Sequence, residues 1–117
     1  MGEKGNKRIK RICIRLSERD AYMLDYVSTR MKRPKSEIVR RALRNVCVAE
    51  NYGYTDYVPN VEIPVFNDYG KSDITVRISA EELSMVREVC EKTGKTCSDV
   101  FRNGLTMLYN LYFVHTE

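Results

Sequence analysis

Two six-residue stretches decide how this chain is read: Ile12-Cys13-Ile14-Arg15-Leu16-Ser17 and Ile74-Thr75-Val76-Arg77-Ile78-Ser79. In each, branched aliphatic residues take every second position. Ile12, Ile14 and Leu16 fall on one side of an extended chain, with Arg11, Cys13 and Arg15 on the other. Ile74, Val76 and Ile78 oppose Asp73, Thr75 and Arg77 in the same way. A period of two with aliphatic residues on one side is the pattern of a strand buried on one face. Each stretch closes on a serine followed by acidic residues, Glu18 and Asp20 or Glu81 and Glu82. A serine hydroxyl accepts from the orphan amides of a first helical turn, and carboxylates there complement the dipole. A helix start is therefore predicted after both stretches.

Outward from these stretches, a longer self-similarity emerges. A shift of 62 residues lays positions 12–46 on 74–108 without a gap. Identities fall at Ile12/Ile74, Arg15/Arg77, Ser17/Ser79, Met23/Met85, Val27/Val89, Ser36/Ser98, Arg40/Arg102 and Leu43/Leu105. The first helix of each copy carries an apolar stripe at helical spacing: Ala21, Leu24, Val27, Ser28 and Met31, or Leu83, Val86, Val89, Cys90 and Thr93. Gly94 is placed to end the helix of the second copy. Lys32 stands there in the first, where Pro34 forbids simple continuation. A second helix starts near Pro34 and near Thr96, where Thr96 and Asp99 have the spacing of a capping box. Its core face is Ile38, Val39, Ala42, Leu43 and Val46, or Val100, Phe101, Gly104, Leu105 and Leu108, continuing to Leu111 and Tyr112.

A strand and two helices cannot bury their apolar faces alone in about 45 residues. Two such units can, if the strands pair antiparallel and the four helices interlock beneath them. The expected fold is mainly α with a short antiparallel β-ribbon, formed by units at 9–49 and 72–117. Residues 1–8 precede them as a basic arm. Residues 50–71 form a connector rich in tyrosine, with an alternating segment at Val61–Phe66 that suggests an extra strand, confined to a sheet edge by Pro64.

Composition narrows the function. With 117 residues, 43% hydrophobic and 31% charged, the chain fits a globular domain. No apolar run approaches the ~20 residues of a membrane span. The segment Met1–Arg11 is polar and basic rather than a signal peptide, so an intracellular, cytoplasmic location without membrane contact is expected. A single histidine (His115), no tryptophan and no C-x-x-C pair among Cys13, Cys47, Cys90 and Cys97 argue against a metal site, a cofactor or a small-molecule ligand. The cysteines read as small buried hydrophobes. No Ser/His/Asp set, paired-acid motif or phosphate-cradling glycine loop is visible, so an enzyme is not expected. Charge is divided unevenly: residues 1–46 hold 14 Lys+Arg against 5 Asp+Glu, and residues 47–117 hold 6 against 11. A basic end of this kind suits a polyanion.

Both copies resemble the ribbon-helix-helix family of DNA-binding repressors, to which MetJ and Arc belong, over about residues 9–48 and 72–112. The alternating strand, the strand-ending serine, the turn and then Lys35-Ser36-Glu37-Ile38 or Thr96-Cys97-Ser98-Asp99-Val100 carry the resemblance. Members ordinarily dimerise to make the ribbon, so the tandem chain looks like a single-chain pseudo-dimer, an arrangement similar to regulators of archaeal viruses. The resemblance implies a sequence-specific regulator of transcription, most simply a repressor, with double-stranded DNA as partner and scope for self-association on it. By position, the family's base-reading side chains map onto Arg11, Cys13, Arg15, Asp73, Thr75 and Arg77. Asp73 departs from the pattern and is expected to lie beyond the paired ribbon unless it accepts from cytosine. The phosphate-gripping helix start maps onto Arg33, Lys35 and Ser36, and onto Lys95, Thr96, Cys97 and Ser98. Lys7, Arg8 and Lys10 of the arm would follow the phosphates. The first copy has more cations and should hold the backbone more strongly. Arg40 and Arg102 recur at equivalent places, which suggests a structural ion pair. The competing classes are an antitoxin-like adaptor and a protein-interaction module on the same fold.

Overall fold

The structure, a computed structural model, describes residues 9–50 and 72–115, with side chains as far as residue 111. The basic arm and the connector, with its expected extra strand, lie outside the described residues. In chain order the elements are β1 (Ile9–Leu16), α1 (Glu18–Met31), α2 (Lys35–Ala49), β2 (Ser72–Ser79), α3 (Ala80–Thr93) and α4 (Cys97–His115). Among the described residues the fold is mainly helical, with one two-stranded antiparallel sheet.

Local chemistry sets the boundaries. The hydroxyl of Ser17 accepts from the Asp20 amide at 3.1 Å, and Asp20 accepts in return from the Ser17 amide at 3.0 Å. Ser79 and Glu82 repeat the exchange before α3 at 3.0 and 3.1 Å. Each reciprocal pair satisfies two donors that would otherwise be orphaned. Burial pushes the Glu82 carboxyl up, but the Ser79 amide and Arg44 outweigh it and hold the group below its ordinary 4.5. Helix α3 ends on Gly94 in the left-handed conformation (φ 73°), and α1 ends on Lys32 in the same conformation (φ 58°). Lysine holds that turn because the Lys32 amide donates to the Ser28 carbonyl, the Arg33 amide donates to the same oxygen, and the Ser28 hydroxyl donates to the Arg33 carbonyl.

The strands pair with Cys13 opposite Thr75, Arg11 opposite Arg77 and Arg15 opposite Asp73. Ile14, Leu16, Val76 and Ile78 point into the core, 0–5% exposed. Beneath them α2 crosses α4 where Ala42 meets Gly104, so closely that a Cβ on Gly104 would lie 2.1 Å from the Ala42 carbonyl oxygen. Both contacts, Cys13–Thr75 and Ala42–Gly104, join residues 62 apart, the interval of the sequence self-similarity. Ile38, Val39, Leu43, Val46, Val100, Phe101, Leu105 and Leu108 complete the core.

The two ends of this core are filled differently. Tyr109 is fully buried against α1, its ring 5.2 Å from that of Tyr26 and 6.5 Å from that of Tyr22. The residue 62 earlier is Cys47, half-buried, with Cys90 and Cys97 as neighbours. Burial raises all three thiols, Cys47 to about 11. Leu111, expected in the core, is 47% exposed. Tyr109 occupies the space against α1, and two residues on, a helix has turned away by about 200°. Met23, outside the expected stripe, is buried, while Met85 is 42% exposed.

Arg102 ties the halves together. Its guanidinium donates to both oxygens of Asp20, which is 1% exposed, at 2.9–3.1 Å. Its equivalent, Arg40, does not repeat the pair: it donates to the Arg77 carbonyl at 3.3 Å, and Arg44 takes Glu82 at 3.1 Å. Arg102→Met should leave the Asp20 carboxylate short of donors and lower stability by about 1–3 kcal/mol. Arg44→Met, at a solvent-exposed pair, should cost under about 1 kcal/mol. Urea midpoints of the two variants check this ordering.

Candidate nucleic-acid interface

The outer face of the ribbon is polar because strand alternation leaves it no choice. With the aliphatic residues committed to the core, Arg11, Cys13, Arg15, Asp73, Thr75 and Arg77 are all exposed on the opposite side. All six expected base-reading residues thus share one surface. Asp73 does not lie beyond the ribbon: it sits in the ladder opposite Arg15, because pairing runs on to Ser72. Its Oδ1 is 3.4 Å from Arg15 Nε.

The other end of the face has the opposite electrostatics. Arg11 and Arg77 are directly opposed across the strands. Like charges at such a position disfavour the fold and favour any anion or acceptor that relieves them. Arg40 fixes the backbone carbonyl of Arg77 from below. One further residue belongs to this face and was missed by sequence reasoning. Ile9 has the parity of Arg11, is 59% exposed and is paired with Ser79. Its alternation with Arg11 was the available signal.

The helix starts flank the ribbon but differ in chemistry. Pro34 caps α2 with no side-chain hydrogen bond to its first turn. Arg33 lies 4.0 Å from Glu37, and Lys35 lies 3.6 Å from Asp25. All four of these groups are at least 30% exposed, so a phosphate can compete for the cations. Ser36 is half-buried; Lys10 is exposed but belongs to β1, opposite Ile78, rather than to the arm. Lys7 and Arg8 lie outside the described residues.

At α4 the start is already occupied. Thr96 accepts from the Asp99 amide at 3.1 Å, and the Thr96 amide donates back to Asp99 at 3.2 Å. The backbone hydrogen bond from Thr96 holds the Asp99 carboxyl below its ordinary 3.8. The Asp99 carboxylate, itself paired with Arg102 at 3.1 Å, therefore stands where the second phosphate was expected. The Cys97 side chain turns toward the core and Cys90, which leaves its backbone rather than its thiol for any anion. Ser98 accepts from the Arg15 amide at 3.2 Å, an arrangement that still leaves the hydroxyl a proton to donate. Lys95 is partly buried beside Thr93, whose hydroxyl accepts from the Lys95 amide. The two flanks are unequal, and the first is the more cationic.

Comparison with protein-family models, curated protein sequences and solved structures finds no match to this chain.

Proposed function

We propose that the chain is a single-chain ribbon-helix-helix pseudo-dimer, a sequence-specific double-stranded DNA-binding regulator that lays β1 and β2 in the major groove. The directly opposed, exposed Arg11 and Arg77 carry this reading. A two-stranded ribbon fits that groove, and a guanidinium there reads guanine O6 and N7 with two hydrogen bonds. Two further observations support the pseudo-dimer. The ribbon is centred on Cys13–Thr75 and the helix crossing on Ala42–Gly104, pairs that a two-fold axis relating equivalent residues would each have to intersect. The linkage makes the pairing intramolecular, and a tether supplies an effective concentration of order mM. The simplest regulatory outcome is repression by occluding a promoter, in the cytoplasm or its equivalent.

A second reading, a protein-interaction adaptor, is favoured by the exposed Val48 and Met85. Gel shifts at increasing salt separate the two. Several phosphate contacts predict a log-log slope of about −0.9 per phosphate neutralised, against little dependence for adventitious binding. Cys13 supplies an independent probe. It is the exposed cysteine among four free thiols, and it lies in the middle of the ribbon face. Selected duplex DNA should slow its alkylation by maleimide severalfold. Alkylation at an undiminished rate in the bound state would place DNA elsewhere on the protein.

A further inference from the structure

The outward positions form three equivalent pairs, Arg11/Asp73, Cys13/Thr75 and Arg15/Arg77. The ladder sets Cys13 against Thr75 at the centre, Arg11 against Arg77 on one side and Arg15 against Asp73 on the other. Were residue 73 an arginine, both ends would carry two opposed guanidiniums and the face would be almost two-fold in charge. One carboxylate breaks that symmetry. It leaves one end with two cations and makes the other a neutral ion pair at 3.4 Å, its members 67% and 50% exposed.

We propose that Asp73 is the specificity-determining residue that fixes which way round the protein sits on an asymmetric operator. The proposal rests on the DNA-binding reading above. In water the Arg15–Asp73 pair contributes little to stability. Against base edges its two members do different work. Arg15 offers donors to guanine O6 and N7, and Asp73 offers an acceptor to cytosine N4. The Arg11/Arg77 end offers donors alone and suits guanines. With the protein reversed on its site, the carboxylate would face guanine acceptors, with neither a proton to share nor water to relieve it. Rejection of that wrong arrangement, as much as attraction to the right one, then sets polarity. Unpaired, a carboxylate would also be repelled by the phosphates. Arg15 beside it removes most of that penalty, so Asp73 can enter the groove as half of a neutral pair.

The experiment is selection of binding sites from random duplex DNA by the full chain, run in parallel for wild type, Asp73→Arg and Asp73→Asn. Wild type should yield a consensus that differs from its own reverse complement. It should prefer that site by about tenfold or more over a duplex in which the Arg11/Arg77 half-site is repeated as a palindrome. Asp73→Arg should reverse the preference and give a nearly palindromic consensus. The like charges it sets opposite each other at positions 15 and 73 repeat an opposition the protein already tolerates at Arg11–Arg77. Asp73→Asn keeps the size of the side chain, removes its charge and turns one acceptor oxygen into a donor amide, and it keeps the proposal testable if the arginine variant does not fold. It should change the preferred base at its own end of the site, since an amide pairs with adenine where the carboxylate accepts from cytosine, and leave the other end unaltered. An asymmetric consensus unchanged in either folded variant, or a palindromic wild-type consensus, would overturn the role of Asp73 and leave DNA binding standing. No enriched sequence and no salt-dependent binding by wild type would overturn both.

Discussion

Gly104→Val is expected to leave no folded population under conditions where the wild-type chain is native, and Gly104→Ala to lower stability by about 3 kcal/mol or more. Overpacking a core typically costs about 1–3 kcal/mol, because side chains can shift to absorb it. Here the obstacle is main chain. A Cβ at position 104 would stand 2.1 Å from the Ala42 carbonyl oxygen, 2.6 Å from its carbon and 3.0 Å from its Cα. None of these atoms can swing aside as a side-chain terminus does. Helices α2 and α4 would have to separate, loosening Ile38, Val39, Phe101 and Leu105 together. The intrinsic helix preference for alanine, about 1 kcal/mol over glycine, offsets only part of this. Total stability of a domain this size is about 5–15 kcal/mol, so the valine variant has little margin. Gly94 is the control. Nothing lies within 4 Å of its Cβ position, and only its φ of +73° resists substitution. Gly94→Ala should therefore cost about 1–2 kcal/mol. Helical circular dichroism against urea measures all three variants. A Gly104→Val midpoint equal to wild type would mean that the helices do not cross at this residue.

The order of elements was legible in the sequence because their signals are local. Alternation at Ile12–Leu16 and Ile74–Ile78, the serine caps and Gly94 each act within a few residues, and each is found where it was expected. What could not be read depended on distance in the chain. Asp20 looked like one more acidic residue in a first turn, and only Arg102, 82 positions away, makes it a buried anchor. Tyr109 and Cys47 are equivalent by sequence position but meet different neighbours, Tyr22 and Tyr26 on one side and Cys90 on the other. The burial of Tyr109 and the exposure of Leu111 follow from that difference. The six ribbon-face residues were legible, since parity alone assigns them to a face. The register was not. Alternation fixes which side Asp73 points to, but only pairing reveals that it stands opposite Arg15. The inequality of the two helix starts, by contrast, was legible in the extra cations of the first copy and in the capping-box spacing of Thr96 and Asp99. Thr96 and Asp99 already occupy one start, and Pro34 leaves the other without a side-chain cap.

Replacing Arg11 and Arg77 together by alanine is expected to remove sequence discrimination at their end of the site while leaving the fold intact. Each bidentate arginine contact is worth about 1–3 kcal/mol against the wrong base. Were the two independent, their joint loss would lower specific affinity by roughly 30- to 20,000-fold. Opposed on adjacent strands, they share one stretch of groove, so the single variants should not sum to the double. A double-mutant cycle on the selected site measures the difference. The stability change should run the other way. Two like charges face each other in free protein, so the double variant should be equally stable or more stable by about 0.2–1 kcal/mol. Lower affinity with unchanged or higher stability distinguishes a recognition pair from a structural one such as Asp20–Arg102, whose removal must cost stability. The salt slope separates base contact from phosphate contact. If Arg11 and Arg77 reach base edges, the double variant keeps its residual non-specific binding and most of its slope. Arg33→Ala with Lys35→Ala should instead weaken every sequence alike and lower the slope magnitude by about 2. Uniform weakening by the ribbon pair would move those guanidiniums from the bases to the backbone and leave discrimination to Cys13, Arg15, Asp73 and Thr75.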